Sequence, residues 1–411
     1  MTLPTPFSEI VLSVSRSRGS ALAHPVEPLA EMEYTEEIEA KNHALREFWK
    51  GHRLPRQPLP IVKAPRPRRY RTTTRRHALR HKGRLRLASY HGDDSGARPV
   101  SGLSLLDPRE HIALYDFIEA RLRETGFHAL AGVLNYVIIR GSYVERSVIF
   151  NVCELSARIV RALTALGQLL PAFDKAVISS FIFLDPKRSR YYLDTDHIHG
   201  SMKTKKLFGP DILVVAFNGI RYLYYPTVFT QVNESMVPLL LSAARDLLCP
   251  AADQRLIDLY CGYGLFTHDL APSYAHAYGL DASRRSIEAA ERNARFHRSV
   301  SNASFRVAQI AGASFLRLLP SPGRCNEVML ADPPRQGMPA PVIAALSGRR
   351  PLRVLEACCG IEEVPGQIRA WQANGYGLTA ALPLDMFAGT PHLETLLLFE
   401  SGGQRRVISN Q

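Results

Sequence analysis

Two adjacent cysteines, Cys358 and Cys359, are followed by the run Asp385-Met386-Phe387-Ala388-Gly389-Thr390-Pro391-His392-Leu393-Glu394, with 35 residues separating positions 359 and 394. A thiolate is a strong nucleophile and a carboxylate can serve as a base, so this pairing suggests covalent chemistry on a nucleobase. A second group, Asp258-Leu259-Tyr260-Cys261-Gly262-Tyr263-Gly264, closes a short apolar run and reads as a nucleotide-cofactor turn. Gly262 and Gly264 would let the backbone approach a ligand, and Asp281, 23 residues beyond Asp258, falls where the next strand ends and can accept ribose hydroxyls. The third glycine of a dinucleotide fingerprint is missing, which argues against a nicotinamide enzyme. A third group, Asp332-Pro333-Pro334-Arg335, follows the apolar stretch 327–331. Its prolines stiffen the turn, and Asp332 either caps a helix or offers a carboxylate to a flat polar ring. Together these groups suggest methyl transfer to RNA.

Such residues need a rigid frame. A helix over 235–248 leads into a strand at 255–259, a helix at 265–270, a strand at 275–280, a helix at 283–297, and strands at 327–331, 352–356 and 396–399. This alternation predicts an α/β fold with a doubly wound, mainly parallel sheet, whose ligands bind beyond the carboxyl ends of the strands.

The first half reads differently. With 411 residues and 46% hydrophobic content, the chain is long enough for two or three cores. A net charge of +13 favours polyanionic partners. No stretch reaches the roughly 20 apolar residues that span a bilayer, so no membrane partner is expected. The six cysteines lack the paired spacing of a zinc or iron-sulfur site and do not suggest a disulfide framework, so no metal is expected. Residues 1–33 lack the pattern of a secretory signal and are expected to be a flexible tail, with the cytoplasm as the location. A helix is expected at 36–50, followed by eleven lysines and arginines without an acid between Lys63 and Arg86. That run is either a solvated arm or the charged face of a small sheet, with Tyr70 and Tyr90 available to stack on unpaired bases. A helix at 107–125, strands at 130–140, 147–151, 176–184 and 190–194, and a helix at 154–167 then predict an α+β layer.

Phe229-Thr230-Gln231-Val232-Asn233, the 258–264 turn, 332–335 and 385–394 are similar, in that order, to motifs of the S-adenosylmethionine-dependent RNA uracil-5-methyltransferases. The resemblance covers roughly 222–399 well and 34–194 faintly. It implies a Rossmann-like class I methyltransferase domain at 226–411, preceded by a basic α+β RNA-binding or central domain at 34–225. It also implies S-adenosylmethionine as cofactor and tRNA or rRNA as partner, in a chain expected to act as a monomer. Cys359 would be the nucleophile and Glu394 the base, with Cys358 the competing nucleophile one residue away. Gln231, Tyr260, Gly262, Gly264 and Asp281 would serve the cofactor, Asp332 would lie between cofactor and uracil, Phe229 would pack nearby, and His392 would orient the turn carrying Glu394. Two departures stand out. Cys358-Cys359-Gly360-Ile361 replaces the usual Ser-Cys-Asn-Pro, and Leu265 stands where asparagine is usual. The family's iron-sulfur branch needs four N-terminal cysteines, where this chain has only Cys153. A catalytically silent RNA-binding protein on the same scaffold, or a methyltransferase for another acceptor such as cytosine, stand as alternatives.

Overall fold

The computed structural model describes residues 5–402, apart from 21, 23, 82–83, 92–97, 100–103, 187, 189–203, 297–300 and 323–325. The strand expected at 190–194 and Cys325 lie outside the described residues.

The chain opens with two helices, α1 (Phe7–Ser17) and α2 (Tyr34–Gly51). The strands of the first half are β1 (Thr73–His81), β2 (Arg84–Ala88), the two-residue β3 (Tyr90–His91) and β4 (Arg98–Pro99), β5 (Leu134–Gly141), β6 (Arg146–Val152), β7 (Val177–Leu184) and β8 (Thr204–Phe208). Six of them form a sheet in the order β2-β1-β5-β6-β7-β8. Leu114 and Ile118 of α3 (Arg109–Leu122), with Leu163, Leu166 and Leu170 of α4 (Ala157–Phe173), bury against Val137, Ile139, Val148 and Phe150 of that sheet. Ser156 starts α4 because its hydroxyl accepts from the Ile159 amide, satisfying a donor the first turn would otherwise leave orphaned. A hairpin of β9 (Leu213–Phe217) and β10 (Ile220–Tyr224) leads to the second half.

There α5 (Val237–Leu248) precedes a seven-stranded sheet of β11 (Arg255–Leu259), β12 (His276–Asp281), β13 (Ala303–Val307), β14 (Glu327–Ala331), β15 (Arg353–Cys358), β16 (Tyr376–Leu384) and β17 (Glu394–Ser401). Their order is β13-β12-β11-β14-β15-β17-β16, parallel through β15, with β17 antiparallel to both of its neighbours. Helices α6 (Leu265–Leu270), α7 (Arg284–Phe296), α8 (Ala340–Ser347) and α9 (Val364–Ala373) complete this α/β layer. Along each central strand, residues alternate between two cores: Leu256, Leu330 and Leu355 join α5 in one, while Ile257, Met329 and Val354 join Ile343 of α8 and Ile368 of α9 in the other. A sheet buried on both faces needs such near-continuous apolar strands.

Two expectations about the first half are corrected. Residues 1–33 are not a loose tail throughout: Phe7 and Val11 of α1 and Leu29 are fully buried, and with Ile38, Leu45, Phe48 and Trp49 of α2 they cover the second face of the C-terminal sheet. The core therefore runs across the expected division into 34–225 and 226–411. Nor is the 63–86 run simply displayed to solvent. Arg68 pairs with Glu37 and with the carbonyls of Leu29, Ala30 and Met32; Arg69 binds the carbonyls of Ser104 and Asp107; Arg71 pairs with Glu27 and Asp107; and Arg76 pairs with Asp107. Tyr70 is buried and donates to the Ala388 carbonyl at 2.9 Å, so it is a core residue rather than a stacking platform. The side chain of Tyr90 lies outside the described part.

Candidate active site

The strand order reverses between β11 and β14, and that switch opens a crevice at the carboxyl ends of the parallel strands. The chain leaves β11 through Tyr260, Gly262 and Gly264, all with positive φ (60°, 56° and 85°), a sharp turn that a non-glycine residue such as Tyr260 adopts only against steric resistance. At Gly264 a Cβ would also stand 2.7 Å from the His268 ring, so no side chain fits there. A Cβ at Gly262 would meet nothing within 4 Å, so the turn leaves open space beside it. The Gly262 amide donates to Asp281 Oδ2 at 2.9 Å and the Ser283 amide to Oδ1 at 2.7 Å, which fixes the carboxylate at the end of β12. Tyr260 is half-buried, its hydroxyl 3.5 Å from the Ile310 carbonyl. Leu265, the departure from the resemblance, is buried in the apolar core at the start of α6.

Asp332 follows β14, its amide bonded to the Leu259 carbonyl at 3.2 Å, and Gln231 Nε2 donates to its Oδ2 at 3.3 Å. Burial, then the Asp281 charge, pushes Asp332 up to about 7. Gln231 reaches this position because the first half holds its loop: the Thr72 amide donates to the Val232 carbonyl at 3.0 Å, and Arg140 donates to Thr230 Oγ1 at 3.1 Å.

The antiparallel turn of β17 completes the group. In the β15–β17 ladder Cys358 pairs with Thr395, so continuing the register by one residue sets Cys359 opposite Glu394. Had β17 been parallel, Glu394 would have started at the far edge of the sheet. The two cysteines then part by strand alternation. Cys358 lies on the side of Val354, buried, its thiol 3.7 Å from Glu356 Oε1, while Glu356 Oε2 accepts from the Trp371 indole at 2.8 Å. Cys359 is half-buried, and its thiol is pushed up to about 12 by burial, then by Glu394 and Asp332, with Arg335 opposing. Glu394 is raised well above the usual carboxylate range by burial and then Asp332, and its Oε1 has no hydrogen-bond partner among the described residues. Carboxylates gathered without a cation between them hold their protons in this way.

Gly360 belongs to the same junction. A Cβ there would stand 2.6 Å from the Arg335 carbonyl oxygen, so glycine lets the 332–335 turn close over the end of β15. Arg335 donates to the His392 ring at 3.3 Å, and burial, then Arg335 and Lys41, lower His392 to about 4, leaving it neutral at pH 7. Phe229 does not pack into the group; it is 65% exposed.

Cys359, Glu394, Asp332 and Gln231 thus come together at one edge, and Tyr260, Gly262, Gly264 and Asp281 line the adjoining turn. Sequence reasoning missed the buried charges of α2, Glu37 and Lys41, which hold the 385–394 loop. The signal was there: both stand on the same helical stripe as Ile38, Leu45 and Phe48. Among the described residues, no cluster of His, Cys, Asp and Glu could hold a metal ion, and no helix is long and apolar enough to cross a membrane.

A sequence model of the family described as tRNA (uracil-5-)-methyltransferase matches residues 182–401, more than half of the chain. An uncharacterised RNA methyltransferase of Thermosynechococcus vestitus is 32% identical over 197 residues, 48% of this chain and 42% of that protein. The 23S rRNA (uracil(1939)-C(5))-methyltransferase RlmD of Bordetella parapertussis is 34% identical over 204 residues, 47% of this chain and 42% of that one. In each case the shared part is less than half of the relative. The crystal structure of a Pyrococcus abyssi tRNA (uracil-54, C5)-methyltransferase with S-adenosyl-L-homocysteine superposes with a TM-score of 0.65 at 20% identity, covering 90% of this chain and 85% of that one, which establishes a common fold.

Proposed function

The chain belongs to the tRNA (uracil-5-)-methyltransferase family, and from that premise we propose that it methylates carbon 5 of a uridine in tRNA or rRNA through a covalent adduct on Cys359. The observation that carries this reading is the meeting of Cys359 and Glu394 across the β15–β17 register, beside Asp332.

The residues suit S-adenosylmethionine. The open space beside Gly262 gives a ligand room, the oriented Asp281 carboxylate suits ribose hydroxyls, and the carboxylates of Asp281 and Asp332 complement a cationic sulfonium. When bound, S-adenosylmethionine supplies an electrophilic methyl group and departs as the neutral thioether.

Cys359 gives its proton to solvent at the half-open mouth of the site, and its sulfur adds to carbon 6 of the uracil. The carbon 5–carbon 6 π electrons shift toward carbon 5 and oxygen 4, making carbon 5 the nucleophile that takes the methyl. Asp332, steadied by Gln231, accepts a hydrogen bond from the ring. Glu394 as carboxylate removes the carbon 5 proton; those electrons restore the double bond while the carbon 6–sulfur bond breaks and the Cys359 thiolate leaves. His392, neutral and bonded to Arg335, holds the turn rather than the proton.

The test is incubation with labelled S-adenosylmethionine and RNA lacking 5-methyluridine, comparing wild type, Cys359→Ala, Cys358→Ala and Glu394→Gln. Label at uridine carbon 5 that vanishes with Cys359→Ala supports the proposal; label dependent on Cys358, or no label despite tight RNA binding, would overturn it.

A further inference from the structure

We propose that Lys41 is a positioning residue for Glu394, acting through Asp385, and that the 29–70 segment is an internal splint for the loop carrying that base; the inference rests on the reading of Glu394 given above. The Lys41 ammonium is fully buried, 2.7 Å from Glu37 Oε1 and 2.6 Å from Asp385 Oδ1. Burial opposes its charge, but Asp385 and Glu37 outweigh that and hold it protonated. Asp385 Oδ2 accepts from the Tyr34 hydroxyl at 3.0 Å, and that hydroxyl in turn accepts from the Ala64 amide at 2.5 Å. Glu37 accepts from the Gly389 amide at 2.6 Å and from Arg68 at 2.8 Å.

The backbone of the same loop is gripped as well. The Asp385 amide bonds to the Val62 carbonyl at 3.0 Å, the Leu29 amide to the Gly389 carbonyl at 3.1 Å, and the Tyr70 hydroxyl to the Ala388 carbonyl at 2.9 Å. This matters for Glu394 because β16 ends at Leu384, whose ladder partner is Glu394 itself. Fixing Asp385, the next residue, therefore fixes the end of β17 from which the carboxylate projects.

A buried cluster of two cations and two carboxylates is no better for stability than apolar packing, and removing one member strands the others. Its worth here is directional. The loop has one conformation that satisfies every charge, and that conformation sets Glu394 opposite Cys359.

The distinguishing readout is which chemical step slows. Removing the base function leaves addition and methyl transfer intact and blocks elimination, so a methylated RNA–protein adduct accumulates on ordinary uridine RNA, as expected for Glu394→Gln. Lys41→Met, and the milder Tyr34→Phe should Lys41→Met fail to fold, are assayed in single turnover with S-adenosylmethionine and either uridine RNA or 5-fluorouridine RNA. We expect capture of 5-fluorouridine RNA within about twofold of wild type, a drop in turnover of about 10²-fold for Lys41→Met, and accumulation of the uridine adduct. Lys41→Arg, which keeps the charge, should restore part of the turnover. Arg349→Met breaks a buried ion pair with Glu327 at the opposite end of β14 and should accumulate no adduct. Turnover by the Lys41 and Tyr34 variants equal to wild type, or slowing of every step as in Arg349→Met, would overturn the positioning role alone. A wild-type protein that methylates no RNA would overturn the proposed function and this inference with it.

Discussion

Two parts of this molecule concentrate charge and treat it in opposite ways. In the basic stretch 63–86, Arg68, Arg71 and Arg76 meet Glu37, Glu27 and Asp107, so charge is matched by charge and binds segments together. At the carboxyl edge of the C-terminal sheet, Asp258 and Glu394 lie buried and Asp332 half-buried, with no cation between them among the described residues, and desolvation raises all three. Matched charge is architecture, whereas unmatched charge in a crevice is held at a cost to stability that function has to justify.

The contrast breaks first at Cys359. Cys359→Ala should abolish turnover and 5-fluorouridine capture, while Cys358→Ala, which removes a thiol packed beside Glu356, should keep both; scintillation counting of tritiated RNA decides. Glu394→Gln should slow turnover by about 10²- to 10⁴-fold. The required form of Glu394 is the carboxylate, and its proton is held well above the usual carboxylate range, so wild-type turnover should keep climbing with pH above that range. A flat profile would contradict the role of a raised carboxylate.

On the matched side, Arg68→Met takes the partner from Glu37 Oε2 while Lys41 still holds Oε1, and should cost about 2 kcal/mol in denaturant unfolding. Arg86→Ala, at an exposed position of β2, should leave stability unchanged and reduce the salt dependence of RNA binding by about one phosphate contact. If Arg68 and Arg86 behaved alike, the division between internal and displayed arginines would fail.

A pH-dependent effect is expected at Asp258, raised to about 7 by burial despite the 2.5 Å bond from Thr267. Its proton is held more tightly in the folded chain than in the unfolded one, so its contribution to stability is fully present below about pH 4 and is lost as pH rises through 7. Asp258→Asn should therefore unfold later than wild type at pH 8 and alike at pH 4, as thermal scans would record.

The sequence made the C-terminal elements legible because short apolar runs such as Arg255–Leu259 and Glu327–Ala331 are bounded by turn residues that admit one reading. The strand ends that carry the candidate residues Asp281, Asp332 and Cys359 were legible for the same reason. What composition could not disclose was pairing at a distance. The partners of Arg71 and Arg76 include Asp107, more than thirty residues away, and α1 packs beneath a sheet that begins at Arg255. Nor did alternation reveal that β17 runs antiparallel, the feature that carries Glu394 to Cys359; strand β16, Tyr376–Leu384, went unread although its ladder with β17 closes the loop.

The most direct test of the central claim is to trap the protein with S-adenosylmethionine and 5-fluorouridine-substituted tRNA or rRNA, digest the adduct, and locate the modified residue by mass spectrometry. A methylated fluorouridine nucleotide on Cys359 is the expected product. Attachment at Cys358, or no adduct with either RNA while binding persists, would contradict it.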